Sequence, residues 1–272
     1  MEIIVTPTAE HLELDARQLD PHPRNESRQF PDGEVYVQLE SVDEIETALV
    51  VHSGQPHPNR GLAYLYGLLD LLTERDVLIT LCFTYAPYGM QDKQFYSGAV
   101  NYARAILKHV SQYPVRQVYA VDPHFSHRDW VTEYPLTPLQ AFSLVQKQVD
   151  DDLDDYVIVG PDLGAVDRFG IPSFEKTRKG AYDVELEGEL DVEGRNVLVF
   201  DDLIETGGTM VAAYERLKDQ GAETVVAAAV HGVLDEGIQR IKDTYDGLYL
   251  TNTVATDAAT VSIEPLVRTI LE

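Results

Sequence analysis

Cysteine is almost absent: Cys82 is the only one in 272 residues. No disulfide can form within the chain, and a thiol inside the apolar run around it reads as a buried side chain rather than a nucleophile. Positive charge is also scarce. Lysine and arginine total 21 against 46 aspartates and glutamates, a formal net charge of -25. That balance argues against nucleic acid or an anionic membrane as a partner. The acids are spread along the chain, with one dense run at Asp150–Asp155, which is not the pattern of an acidic disordered tail. A lysine-poor acidic surface suits high salt, where screening removes self-repulsion, so a halophilic source is expected. No leader-like segment, membrane-spanning run or internal repeat is read, and a cytoplasmic protein is expected. The length gives a prior of about two domains.

The most informative stretch is VLVFDDLIETGGTM, residues 197–210. Val197–Phe200 reads as a buried strand, followed by Asp201 and Asp202. Glu205, Thr206, Gly207, Gly208 and Thr209 follow. Val211, Tyr214 and Leu217 then lie at helical spacing, with Gly221 as the stop. A Thr-Gly-Gly-Thr loop at a helix N-terminus offers N–H groups, hydroxyls and close backbone approach, all suited to a phosphate. The carboxylates upstream suit ribose hydroxyls or a divalent cation. A phosphorylated sugar satisfies both halves. The residues also fit an ordinary strand-to-helix turn whose acids favour the helix dipole.

This stretch resembles the phosphoribosyl diphosphate (PRPP) loop of type I phosphoribosyltransferases and of ribose-phosphate diphosphokinases, the PRPP synthetases. Glu205 stands where that family more often has aspartate. The motif alone does not separate making PRPP from consuming it, and the remaining segments bear on that choice.

Phe30–Leu39 (FPDGEVYVQL) reads as a turn at Asp32-Gly33 and a half-buried strand through Val35, Val37 and Leu39. It resembles the synthetase segment that meets the adenine of ATP across a subunit interface. The resemblance gives that role to Phe30, Asp32 and Glu34. Pro58 and Asn59, ahead of a helix-like Leu62–Leu72, are similar to a synthetase Pro-x-Asn loop. After a strand over Val77–Phe83, Gln91, Asp92 and Lys93 lie where open α/β sheets bind ligands. They resemble the synthetase ATP loop, except that Met90 replaces an arginine and Tyr96–Ala99 is shortened. Past the strand Val118–Val121, His124 matches a histidine that helps bind Mg²⁺–ATP; His127 receives no role.

Tyr134–Pro138 and the acidic run mark a boundary. Two domains are expected, 1–138 on the ATP side and 139–272 carrying the sugar-phosphate loop. In the second, Asp162 and Gly164 of GPDLGAVDR match a metal- and pyrophosphate-binding loop. Lys176 and Arg178 match a mobile Lys-x-Arg flap that stabilises the transition state.

The resemblance to PRPP synthetases runs nearly end to end. It implies an α/β fold of two phosphoribosyltransferase-like domains, each with a mainly parallel sheet flanked by helices. It implies diphosphoryl transfer from Mg²⁺–ATP to ribose 5-phosphate in a homo-oligomer. Lys176, Arg178 and His124 would be catalytic. Phe30, Asp32, Glu34, Gln91, Asp92 and Lys93 would hold the nucleotide, and His124 and Asp162 would hold Mg²⁺. Asp201, Asp202, Glu205, Thr206, Gly207, Gly208 and Thr209 would hold the sugar phosphate. Two other readings stay open: a PRPP-consuming transferase, and a regulatory subunit, to which the departures at Met90 and Tyr96–Ala99 point.

Overall fold

Short apolar runs rich in valine and isoleucine alternate with amphipathic stretches, and in the computed structural model they become parallel strands and covering helices. Residues 1–162, 170–173 and 190–272 are described, together with the backbone of 175–178 and 184–187. The chain divides into two units, Met1–Gln140 with Glu264–Glu272, and Ala141–Ile263.

The first unit contains β1 (Glu2–Val5), β2 (Arg17–Gln18), β3 (Thr47–Ser53), α1 (Pro58–Thr73), β4 (Leu78–Tyr85), α2 (Tyr102–Val110), β5 (Val115–Val121) and β6 (Leu136–Leu139). Its sheet has the order β2-β1-β3-β4-β5-β6, with every pairing parallel. A parallel sheet is covered on both faces, so Ala48, Leu49, Val50 and Val51 are all buried rather than alternating. Helix α1 turns Tyr64, Leu65, Leu68, Leu69 and Leu72 into the core, the spacing of one helical face.

The second unit holds α3 (Phe142–Asp152), β7 (Tyr156–Val159), β8 (Glu175–Arg178), β9 (Val184–Glu187), β10 (Asn196–Ile204), α4 (Gly208–Asp219), β11 (Val225–Gly232), α5 (Asp235–Thr244) and β12 (Gly247–Leu250). Its sheet order is β12-β11-β10-β7, again all parallel. Strands β8 and β9 form a separate antiparallel ribbon. The short helix α6 (Glu264–Arg268) belongs to the first unit, where the Glu264 carboxylate accepts the Glu13 backbone N–H at 2.9 Å.

Three local expectations change. The strand read after the Phe30 turn is reduced to one antiparallel bridge, Gln29 to Val35. Its Gln38 carbonyl is instead taken by the Asp20 N–H at 2.9 Å, while Val35 and Val37 pack on the core. The proline-rich passage ends in β6, which tolerates Pro138 because it is an edge strand. Strand β10 does not stop at Phe200. It carries Asp201 and Asp202 within it, because β11 is long enough to pair as far as Ile204 with Gly232.

Candidate active site

In the second unit, β10 is the central carrier. Its pairing with β7 ends at Val199–Val159, while its pairing with β11 continues to Ile204–Gly232. Asp201 and Asp202 therefore lie on the part of β10 that outruns β7, at the carboxyl end of the sheet. Successive strand residues face opposite ways. Asp202 is 2% exposed and Asp201 is half-buried. The Asp201 Oδ1 accepts the Asp202 backbone N–H at 2.9 Å, which fixes one carboxylate against the strand.

The loop then turns sharply. Glu205 is exposed, Thr206 and Thr209 are half-buried, and Gly207 and Gly208 are buried. Gly207 is the N-cap of α4 with φ of 74°, a left-handed conformation that glycine adopts without strain. An anion placed at the start of α4 would meet backbone N–H groups and the positive end of the helix dipole.

Two residues that sequence reasoning missed shape this loop. Gly237, in the first turn of α5, lies so close that an added Cβ would stand 1.9 Å from the Glu205 carbonyl oxygen. The Tyr245 hydroxyl donates to the Met210 carbonyl in the first turn of α4 at 2.5 Å. Burial raises the Tyr245 phenol well above its ordinary pKa, and the negative charge of Asp201 adds to this. At the neighbouring strand ends, His231 Nδ1 and Thr253 Oγ1 are 2.9 Å apart and buried, and Thr251 donates to the Val230 carbonyl. The fit of Gly237 against the Glu205 carbonyl and the Tyr245–Met210 bond are tertiary facts; no spacing rule announces them.

Asp162 is half-buried just past β7, where Gly160 bridges to Ser173. Gly164 lies outside the described residues. Lys176 and Arg178 sit on β8, opposite Leu186 and Val184 of β9; their side chains lie outside the described residues.

The first unit carries the other half of the predicted residues. The chain leaves β4 through a turn in which Tyr88 has φ of 57° and the Gln91 N–H donates to the Tyr88 carbonyl. Gln91 and Lys93 are exposed, with the Lys93 ammonium 5.3 Å from the Phe95 ring centroid. Asp92 instead points inward. It is 2% exposed, and its Oδ2 receives the Arg128 Nε at 2.6 Å. Its carbonyl accepts from Asn101 Nδ2 at 2.7 Å and Trp130 Nε1 at 3.1 Å. Arg128 and Trp130 follow β5 on the turn that also bears His124, so the structure brings the Gln91–Lys93 loop and the His124 turn together through this pair. His124 is half-buried, and its ring centroid is 6.4 Å from that of His127.

The Phe30 turn is closed by the Phe30 N–H donating to the Glu34 carbonyl at 2.8 Å, the Gly33 N–H donating to the Phe30 carbonyl at 2.9 Å, and Asp32 Oδ1 accepting the Glu34 N–H at 3.1 Å. Phe30, His22 and Tyr36 pack edge to face, with His22 and Phe30 centroids 5.5 Å apart. Asp32 and Glu34 remain exposed. Among the described residues, no three His, Cys, Asp or Glu side chains gather into a cation site.

A ribose-phosphate pyrophosphokinase of Pyrococcus furiosus is 32% identical over 281 aligned positions, covering 99% of this chain and 100% of that one. The chain belongs to the ribose-phosphate pyrophosphokinase family. That of Methanopyrus kandleri is also 32% identical, over 99% of both chains, and that of Thermococcus kodakarensis is 32% identical over 88% and 89%. Residues 170–263 match the phosphoribosyl transferase domain. The crystal structure of phosphoribosylpyrophosphate synthetase from Mycobacterium smegmatis aligns over 100% of this chain and 98% of its own, with a TM-score of 0.79 and 24% identity. It shares the α/β fold with its parallel sheets. The family is the one that the sugar-phosphate loop and the ordered segments around it resemble.

Proposed function

We propose that this pyrophosphokinase transfers the β,γ-diphosphoryl group of Mg²⁺–ATP to the C1 hydroxyl of ribose 5-phosphate, giving PRPP and AMP. The observation that carries the reading is identity of 32% to a ribose-phosphate pyrophosphokinase across the whole of both chains. A phosphoribosyltransferase relationship confined to the second unit would leave the Phe30 turn and the Gln91–Lys93 loop without a role.

The C1 oxygen attacks the β-phosphorus, the bond from that phosphorus to the α-β bridging oxygen breaks, and AMP leaves with that oxygen. The hydroxyl proton is lost to solvent, since no residue is assigned as a general base and positioning with charge stabilisation is sufficient. Asp201 and Asp202 hold the ribose hydroxyls. Glu205, Thr206, Gly207, Gly208 and Thr209 hold the 5-phosphate. Phe30, Asp32 and Glu34, with Gln91, Asp92 and Lys93, hold the nucleotide, Asp92 acting from within through Arg128. Lys176 and Arg178 neutralise the transferred group, the largest lever in such reactions.

His124 and Asp162 are the residues that would hold Mg²⁺. Magnesium takes one or two protein ligands and completes its shell with phosphate oxygens and water, so a sparse donor set fits it. When bound, it neutralises charge on the phosphate chain. The first unit is thus read as the ATP side and the second as the ribose 5-phosphate side, in a cytoplasmic homo-oligomer of at least two chains.

The test is to mix the protein with ribose 5-phosphate, Mg²⁺ and ATP in molar KCl and to detect PRPP and AMP by mass spectrometry. Lys176→Ala is expected to lower turnover by about a hundredfold or more. Absence of product with any nucleoside triphosphate would favour a regulatory subunit, the reading to which Met90 points. Base-dependent release of pyrophosphate from PRPP would favour the transferase.

A further inference from the structure

The loop that carries Gln91 and Lys93 leaves and rejoins the first unit at one neck. After Asp92 the chain runs out through Lys93–Val100 and returns at Asn101, the N-cap of α2. The outer residues are not packed: Phe95 is 54% exposed and Tyr96 82%. A compact surface loop of this kind is fixed by what joins its ends.

Asn101 and the first two residues of α2 each take one residue of the loop. The Asn101 Nδ2 donates to the Asp92 carbonyl at 2.7 Å. The Tyr102 ring stacks on that of Tyr88, with centroids 4.9 Å apart and planes at 23°. The Ala103 N–H donates to the Gln91 carbonyl at 3.2 Å. The start of α2 is therefore a cradle for residues 88–92.

The Asn101 amide makes two different bonds. Its Oδ1 accepts the Arg104 N–H at 2.9 Å, which caps α2. Its Nδ2 is thereby turned toward the loop. A carboxylate caps equally well but has no donor, and a serine hydroxyl caps from one bond nearer the backbone. Asparagine alone of these serves the helix and the loop together. The carbonyl it holds belongs to buried Asp92, and the residues on either side, Gln91 and Lys93, are the exposed ones.

We infer that Asn101 is a positioning residue for the nucleotide: through the Asp92 carbonyl its amide sets where Gln91 and Lys93 stand, apart from its cap on α2. This rests on the reading of Gln91–Lys93 as the ATP loop. Groups held in place before a ligand arrives need no ordering on binding, so the bond acts on ATP affinity rather than on the chemical step.

Steady-state kinetics in molar KCl on Asn101→Asp and Asn101→Ser separates the two bonds. Both variants keep the cap, so their urea midpoints should stay near the parent's. Both lose the donor, so KM for ATP is expected to rise about fivefold, the worth of one neutral hydrogen bond, with kcat and KM for ribose 5-phosphate unchanged. The aspartate also sets a carboxylate against the Asp92 carbonyl. If that variant unfolds, the serine variant, which adds no charge, decides. Asn101→Ala loses both bonds and should combine the same rise in KM with a lower midpoint.

A cap and nothing more would give another pattern: lower stability in the alanine variant alone, and a parent-like KM for ATP in the other two. That pattern, or an equal rise in KM for both substrates, would overturn the inference while leaving the function of the parent chain standing. Absence of PRPP from the parent chain would overturn the reading of function, and Asn101's role with it, before any variant is compared.

Discussion

At the scale of single residues, the tightest constraint is on Gly237. Any side chain there would meet the Glu205 carbonyl, at 1.9 Å for a bare Cβ. Gly237→Ala must push the loop or α5 aside, and overpacking of this kind costs about 1–3 kcal/mol. Urea unfolding should show that loss together with weaker ribose 5-phosphate binding; a variant with parent-like stability and affinity would contradict the contact. His52 sets a second expectation. It is fully buried, its Nδ1 lies 2.8 Å from Thr6 Oγ1, and its Nε2 has no partner. Burial lowers its pKa from 6.5 to about 3. The unfolded chain therefore binds a proton that the folded chain refuses between pH 6.5 and 3, so the contribution is intact above pH 6.5 and declines as pH falls through that window. The loss amounts to about 2 kcal/mol by pH 5. Unfolding curves at pH 7.5 and 5 should differ less for His52→Gln than for the parent; an equal difference would remove the histidine from the account.

Secondary-structure elements show what the sequence makes legible. The strand, double acid and Thr-Gly-Gly-Thr are contiguous because one ligand must be reached from one turn, so the α4 loop stands out in the string itself. Strands β3 and β11 stand out because buried parallel strands are near-continuous apolar runs. Contacts made by the fold were not legible. Arg128 and Trp130 read as ordinary residues of a polar turn, yet they receive Asp92 at 36 and 38 residues' separation. Asp92 reads simply as a ligand-facing acid, whereas its carboxylate faces Arg128. Removing one partner of a buried ion pair leaves an uncompensated charge, at a cost of about 3 kcal/mol. Arg128→Ala should therefore lose stability and raise KM for ATP more than KM for ribose 5-phosphate, which steady-state kinetics would separate. A KM change confined to ribose 5-phosphate would detach the pair from the nucleotide loop. The strand expected after Phe30 shrinks to one bridge because Val35, Val37 and Leu39 alternate without a partner strand long enough to pair them.

For the whole molecule, charge is the dominant property. A net of -25 in 272 residues repels itself strongly at low ionic strength. The screening length falls from about 10 Å at 0.1 M salt to about 3 Å at 1 M, so the thermal midpoint should rise steeply across that interval. A midpoint that is flat or falling in KCl would count against a halophilic surface. Among the described residues no helix is long and apolar enough to cross a membrane.

The connectivity of the two units has a consequence for synthesis. The chain leaves the first unit after Gln140, builds Ala141–Ile263, and comes back with Glu264–Glu272, whose Glu264 and Arg268 hold Glu13 by its N–H and its carbonyl. The second unit is thus an insertion in the first. On the ribosome the inserted unit has its full sequence while the unit that began earlier still lacks its closing helix. The first unit, begun earliest, cannot be completed until its last nine residues are made, after the whole of the inserted unit.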